Sequence, residues 1–192
     1  MLEYLKELDR SLFDSLNGYQ NPFWDAFMIQ ISERKFWFPF YAFLVFYLIY
    51  TFRRKSILKL VAIGLTILAA DSISSKIIKP LVGRLRPCHD AGLAELIVLI
   101  DRCGGKFSFV SSHAANTFAL AMIASMLLER RYWPFKLFLF VWACTISYSR
   151  VYLGVHYPGD IFFGALLGML LGWLIGWLYK HILQRYYPVE AT

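Results

Sequence analysis

Five stretches of this chain are long, apolar and nearly free of charge, and no other feature limits its fold as much. Phe36 to Phe52, Val110 to Leu128, Leu137 to Ser149 and Ile161 to Tyr179 carry no formal charge, while Ile57 to Ile78 carries Lys59, Asp71 and Lys76. A hydrocarbon layer of ~30 Å takes about 20 helical residues to cross. Inside it every backbone polar group must find its partner within the protein, which leaves helices or closed barrels. Each stretch is near the required length, and the shortest, Leu137 to Ser149, can extend at its N-terminal side. The sequence therefore predicts an all-α, polytopic membrane bundle of five to six transmembrane helices. We read residues 1–192 as a single domain, with the spans inside 36–183. Composition agrees, since 58% of the 192 residues are hydrophobic and 17% charged, whereas soluble domains average ~45–50% and ~25%. A disordered chain, a nucleic-acid-binding tail and an ordinary soluble enzyme are excluded. The net charge of +7 comes from basic residues beside the apolar runs, which points to membrane topology and not to nucleic acid.

The first 35 residues differ in character. Leu5, Leu8, Leu12 and Leu16 recur at helical spacing with Glu3, Lys6, Glu7, Asp9 and Arg10 between them, the pattern of an amphipathic helix lying in the membrane interface. The alternative is a helix packed on its own bundle. Charges from Glu3 to Asp14 occupy the place where a signal peptide has its apolar core. Asn21-Pro22 reads as an N-cap and first helical position, opening a second short helix through about Ser32.

The connections orient the bundle. Arg53-Arg54-Lys55, then Glu129-Arg130-Arg131 with Lys136, then Lys180 and Arg185 fall on one side by alternation, and basic loops belong in the cytoplasm. Residues 1–36 then lie outside with four basic and six acidic residues. The loop Lys79–Lys106 also lies outside, yet holds Lys79, Arg84, Arg86, Arg102 and Lys106. An anionic ligand is the natural reason for so many cations there. Gly164, Gly168, Gly172 and Gly176 strip one face of the last helix. This reads first as close intramolecular helix packing, with a dimer seam as the alternative.

Polar groups gather at the outer helix ends in three clusters. Lys79 to Pro87 ends the second span, Ser111-Ser112-His113 opens the third, and Ser149 to Asp160 joins the fourth to the fifth. Lys79, Arg86 and Arg150 supply cations without a matching carboxylate cluster, and guanidinium forks fit phosphate oxygens bidentately. Ser111 and Ser112 stand at a helix N-terminus, itself an anion site. His113 and His156 bring two imidazoles suited to acid, base or nucleophile roles near neutral pH. Asp160 follows His156 by four residues across Pro158, which starts the last helix. There it can accept the His156 N–H and fix its tautomer. Lys79 and Arg84, taken singly, read as snorkelling interface residues, and Asp71 and Lys76 as structural. No Cys/His metal spacing occurs, and no metal or cofactor is expected. Cys88 and Cys103 share the outside loop; on an oxidising side they can pair and steady Arg86.

Lys-x6-Arg-Pro, Ser-x-His and Ser-Arg-x5-His-x3-Asp, in that order, resemble the type 2 phosphatidic acid phosphatase superfamily, which shares its site with vanadium haloperoxidases. The likeness covers about residues 70–180. Val110 and Ser112 depart from the Pro and Gly of the family's second motif. The resemblance implies metal-independent hydrolysis of a phosphate ester in two steps. His156 would be the nucleophile that becomes phosphohistidine, Asp160 its orienting partner, and His113 the acid and then the base. Lys79, Arg86, Arg150, Ser111 and Ser112 would hold the phosphoryl oxygens. The expected substrate is a membrane lipid phosphate or diphosphate. The first choice is undecaprenyl diphosphate, and phosphatidylglycerophosphate, phosphatidic acid and lipid A 1-phosphate are the alternatives. The expected setting is a bacterial inner membrane with the site facing outward; oligomeric state is left open. A vanadate haloperoxidase and an anion channel or transporter are the other classes kept in view.

Overall fold

The computed structural model describes residues 2–17, 21–90, 92 and 102–186. Among them the regular structure is helical, with one isolated antiparallel bridge between Leu85 and Phe107. Helix α1 (Leu2–Asn17) and helix α2 (Pro22–Ser32) precede a 3₁₀ turn, Arg34–Trp37, that leads into α3 (Phe38–Phe52). Helix α4 (Ser56–Ser72) continues through a π-helical segment, Ile73–Ile78, into the short α5 (Lys79–Val82). Helices α6 (Ser112–Leu127), α7 (Trp133–Tyr152) and α8 (Pro158–Tyr186) complete the bundle. Sequence boundaries are met where capping chemistry sets them. The Asn21 side chain accepts the Phe23 N–H at 2.9 Å with Pro22 behind it, Ser111 caps α6, and Pro158 opens α8.

Among the described residues three segments are long and apolar enough to cross a membrane: Arg34–Phe52, Ser56–Val82 and Pro158–Ile182. Three of the five apolar runs fall in these segments, and the other two form α6 and α7. Helix α6 has 16 residues, about 24 Å of rise, and is enclosed by its neighbours. Ala114, Ala115, Ala119, Ala121 and Ile123 are all fully buried. Helix α7 has 20 residues and starts at Trp133, the N-terminal extension expected from sequence. Around this core the outer faces are apolar. Phe46 is 67% exposed, Leu68 63%, Val141 56% and Leu170 58%, a surface that water does not tolerate over such an area and lipid does.

Helices α6 and α8 form the tightest contact, and the glycine stripe explains it. A Cβ at Gly164 would lie 2.6 Å from the Ser111 carbonyl oxygen, and one at Gly172 2.8 Å from that of Ala119. At Gly168 it would fall onto the Ala115 carbonyl. The stripe is an intramolecular seam, where small residues let two backbones meet. It aligns the N-termini of α6 and α8 at the same end. At the other end Lys59 Nζ donates to the Leu127 carbonyl at 3.1 Å, and Lys136 Nζ to those of Ser125 and Leu128 at 3.0 Å each. Two ammonium groups thus satisfy orphan carbonyls at the α6 C-terminus.

The N-terminal helices close the end where the polar clusters meet. Phe13 of α1, 1% exposed, packs with Val151 and Tyr157, and Asn17 Nδ2 donates to the carbonyls of Val151 and Tyr152. Met28 and Ile31 of α2 pack on Tyr152, Leu153 and Val155. The α1 face with Leu5, Leu8 and Leu12 stays exposed. One face thus docks on the bundle, as the second sequence reading has it, while another remains apolar and open.

Candidate active site

His156 sits in the turn between α7 and α8, which is built by local backbone bonds. The Val155 and His156 N–H groups donate to the Arg150 carbonyl at 3.1 and 3.2 Å, and Gly154 takes a positive φ of 75° that the tight turn requires. His156 is 1% exposed and Asp160 is completely buried. His156 Nδ1 lies 3.3 Å from Asp160 Oδ2, the oxygen that also accepts the Tyr157 N–H at 3.0 Å. With Nδ1 turned to the carboxylate, Nε2 is the nitrogen left to face a substrate. The charges that bear on His156 are, in order, those of Arg86, Lys79, Arg150 and Arg84. Burial first, and then these cations, hold its pKa well below the usual histidine range. The ring is therefore neutral at physiological pH, the state a nucleophile needs.

The other sequence-predicted residues gather around it. Ser111 is buried at the α6 N-cap, and its N–H donates to the Asp160 carbonyl at 2.9 Å, which ties the second cluster to the third. His113, in the first turn of α6, has Arg150, His156, Arg34 and Lys79 as its charged neighbours. It lines a polar cavity of ≈ 510 Å³ with Arg150, Ser32, Glu33, Arg34 and Arg102. Arg150 is 9% exposed and bonds the Ser32 hydroxyl. Lys79 is half-buried, with Arg86, Asp160, Arg150 and Asp71 as its charged neighbours. Ser112 points elsewhere. Its hydroxyl meets those of Ser74 and Ser75 at 3.0 and 2.9 Å, on the π-helical segment. Asp71 accepts from Asn116 at 3.2 Å, so it holds the bundle together, as its depth in the second span suggested.

Arg86 is fixed by the loop that follows it. Cys88 and Cys103 form a disulfide with 5.9 Å between their Cα atoms. Arg86 Nη1 donates to the Cys103 carbonyl at 2.8 Å and Nε to that of Phe107 at 3.3 Å. The bridge thus bears directly on the guanidinium. Gly104 takes a φ of 73° beside it, where a side chain would be strained. Residues 93–101 of this loop lie outside the described residues.

Arg84 is what sequence reasoning missed. Read alone it is a snorkelling interface residue. In the structure its Nη1 donates to Asp160 Oδ1 at 3.0 Å and its Nη2 to Asp9 Oδ2 at 2.7 Å, with the guanidinium 3.9 Å from the Tyr157 ring centroid. Asp9 Oδ1 in turn accepts the Gly159 N–H at 2.6 Å. A chain of charge therefore runs from α1 through Arg84 to the carboxylate beside His156. No local signal reveals a contact between residues 9 and 84; only the unexplained acid on the polar face of α1 hints at it.

The arrangement brings a neutral imidazole held by a carboxylate, a second imidazole, several cations and the N-termini of two helices to one end of a bundle. Such a set suits transfer of a phosphoryl group, whose chemistry needs positioning and charge stabilisation. Known proteins agree. The chain is 41% identical over 170 residues to a lipid A 4'-phosphatase of Bacteroides thetaiotaomicron, covering 87% of this chain and 75% of the relative. A lipid A 4'-phosphatase of Porphyromonas gingivalis is 33% identical over 162 residues, 83% of this chain and 68% of its own. The crystal structure of Aquifex aeolicus LpxE superposes with a TM-score of 0.65 at 28% identity, covering 90% of this chain and 96% of that one. A transmembrane PAP2-type phosphatidylglycerolphosphate phosphatase from Bacillus subtilis shares the fold, with a TM-score of 0.66 at 22% identity over 97% of this chain and 90% of its own. Residues 59–184, which hold all three polar clusters, match the PAP2 superfamily, and the chain belongs to that family of membrane phosphatases.

Proposed function

We propose that this protein removes a phosphate from a phosphorylated glycolipid of the lipid A type, at the extracytoplasmic face of a bacterial inner membrane. The observation that carries the reading is the buried His156–Asp160 pair, 3.3 Å apart, with Arg84 on the carboxylate and the charges of Arg86, Lys79 and Arg150 acting on the imidazole. Sequence alone favoured undecaprenyl diphosphate. The two relatives at 41% and 33% identity are both lipid A 4'-phosphatases, and that supports the glycolipid instead. Basic connections at the end opposite the site support the orientation.

His156 Nε2 attacks phosphorus while Asp160 accepts the Nδ1 proton's hydrogen bond and stabilises the cation that forms. The bond from phosphorus to the lipid oxygen breaks, and His113, protonated once the phosphate dianion offsets the cations around it, gives that oxygen its proton. His113 then takes a proton from water, whose oxygen attacks the phosphohistidine and frees inorganic phosphate and His156. Lys79, Arg86 and Arg150 balance charge on the phosphoryl oxygens throughout, assisted by the Ser111 hydroxyl and the free N–H groups at the α6 N-terminus. Covalent catalysis divides one difficult step into two.

The test is phosphate release from a panel of lipid phosphates by purified protein in detergent. Lipid A is expected to be turned over faster than undecaprenyl diphosphate, and activity should survive EDTA. His156→Ala should fall to background and His113→Ala by about 10²–10⁴-fold. Full activity of His156→Ala, or an EDTA loss restored by a divalent metal, contradicts the reading.

A further inference from the structure

Catalysis as described uses three cations, Lys79, Arg86 and Arg150. The cavity that opens from His113 and Arg150 holds two more, Arg34 and Arg102, with Glu33 the one carboxylate in its lining among the described residues. Neither arginine makes an ion pair among the described residues, and both are exposed at the cavity mouth. Arg34 is close enough for its charge to act on His113. The cavity's ≈ 510 Å³ is several times the space one phosphoryl group fills, and falls in the range of whole-ligand sites.

Both arginines stand on backbone that is fixed. Arg34 opens the 3₁₀ turn before α3, where the Phe36 N–H donates to the Glu33 carbonyl at 3.2 Å and Trp37 Nε1 to the Ile31 carbonyl at 2.7 Å. Trp37 is locked in turn against Phe40 and Trp142. Arg102 precedes Cys103, which is held by its disulfide to Cys88 and by Arg86. Gathering like charges on rigid supports is unfavourable unless an anion enters between them. A lone phosphate monoester is already met by the inner three.

We propose that Arg34 and Arg102 form a second anion subsite, which takes a further phosphate carried by the same lipid headgroup as the one hydrolysed. The preferred substrates are then headgroups with two phosphates. Guanidinium forks bind the remote phosphate bidentately, and Glu33 is placed to accept hydroxyl protons from the part of the headgroup between them. This inference rests on the phosphatase reading of the site and deepens it.

The experiment compares kcat/KM on two matched pairs in mixed micelles: a disaccharide lipid with two phosphates against the same lipid with one, and a polyprenyl diphosphate against its monophosphate. Wild type, Arg34→Gln, Arg102→Gln and the double variant are assayed, with Arg54→Gln at the opposite end as control. Wild type should prefer the two-phosphate member of at least one pair. Each single substitution should cut that preference about tenfold, chiefly through KM, the order expected for one charge-assisted hydrogen bond. Arg34→Lys should restore part of it, and Arg54→Gln should leave it intact. A fall confined to the disaccharide pair identifies a phosphate on a distant sugar, and one confined to the polyprenyl pair an adjacent phosphate. A preference unchanged in the double variant, or equal losses on both members of each pair, overturns the subsite. Wild type that releases no phosphate from any of the four lipids overturns the phosphatase reading itself.

Discussion

His156 differs from an ordinary buried histidine in its company: a carboxylate on Nδ1 and four arginine or lysine charges around the ring. Burial, and after it those cations, disfavour the imidazolium, so the acid limb of kcat/KM should lie below the ~6.5 of a free histidine. On the acid side activity should fall as the pH drops through that lowered value, and on the alkaline side as His113 loses the proton that it gives to the leaving oxygen. Arg86 is the largest of these charges. Arg86→Gln should therefore move the acid limb upward while lowering the plateau, and an unmoved limb would dissociate the two residues. Asp9 reaches the Asp160 carboxylate through Arg84 and holds the neighbouring Gly159 N–H. Asp9→Asn should cost about tenfold in kcat, the order of one charge-assisted hydrogen bond, with little change in KM; an unchanged kcat would make the contact merely structural. His113, His156, Asp160, Lys79, Arg86 and Arg150 were legible in sequence because chemistry demands those residue types at those spacings. Arg84 and Arg102 stood out only as members of a basic loop, and Asp9 and Arg34 not at all, since what marks the four is their placement beside residues tens of positions away. Ser112 shows the converse. Its place at a helix N-terminus suggested a phosphate contact, but its side chain turns to Ser74 and Ser75.

The elements are built to keep these groups in register. The α6–α8 seam depends on missing side chains, so Gly168→Ala should destabilise by about 1–3 kcal/mol, as overpacking does. Gly64, with nothing within 4 Å of a Cβ, should accept alanine at no cost or gain up to about 1 kcal/mol. Thermal unfolding in detergent separates the two, and equal melting temperatures would contradict the packing account. The disulfide element acts on Arg86. Cys88→Ser should alter non-reducing mobility and raise KM several-fold by freeing the carbonyl that holds the guanidinium; wild-type KM would show that the loop keeps its shape without the bridge. Periodicity and capping residues made the helices legible, from Asn21-Pro22 to the glycine stripe. The π-helical segment and the enclosure of short α6 were not, because apolar content alone does not tell a lipid-facing helix from one surrounded by others.

At the scale of the whole molecule, charge is sorted by end. Lysines that close the α6 C-terminus and the basic connections lie at one end, and the candidate site at the other, under α1 and α2. In intact cells a membrane-impermeant thiol reagent should label Lys106→Cys and spare Arg130→Cys, in a background with Cys144 replaced; the reverse pattern would invert the topology. The central claim is that His156 carries the phosphoryl group between the two steps. Rapid mixing of the His113→Ala protein with lipid A, a neutral quench and mass spectrometry of the peptides test it most directly. The account predicts one phosphoryl group on the peptide bearing His156, lost when His156 is also replaced. Phosphate on another residue, or turnover without any phosphopeptide, would contradict it.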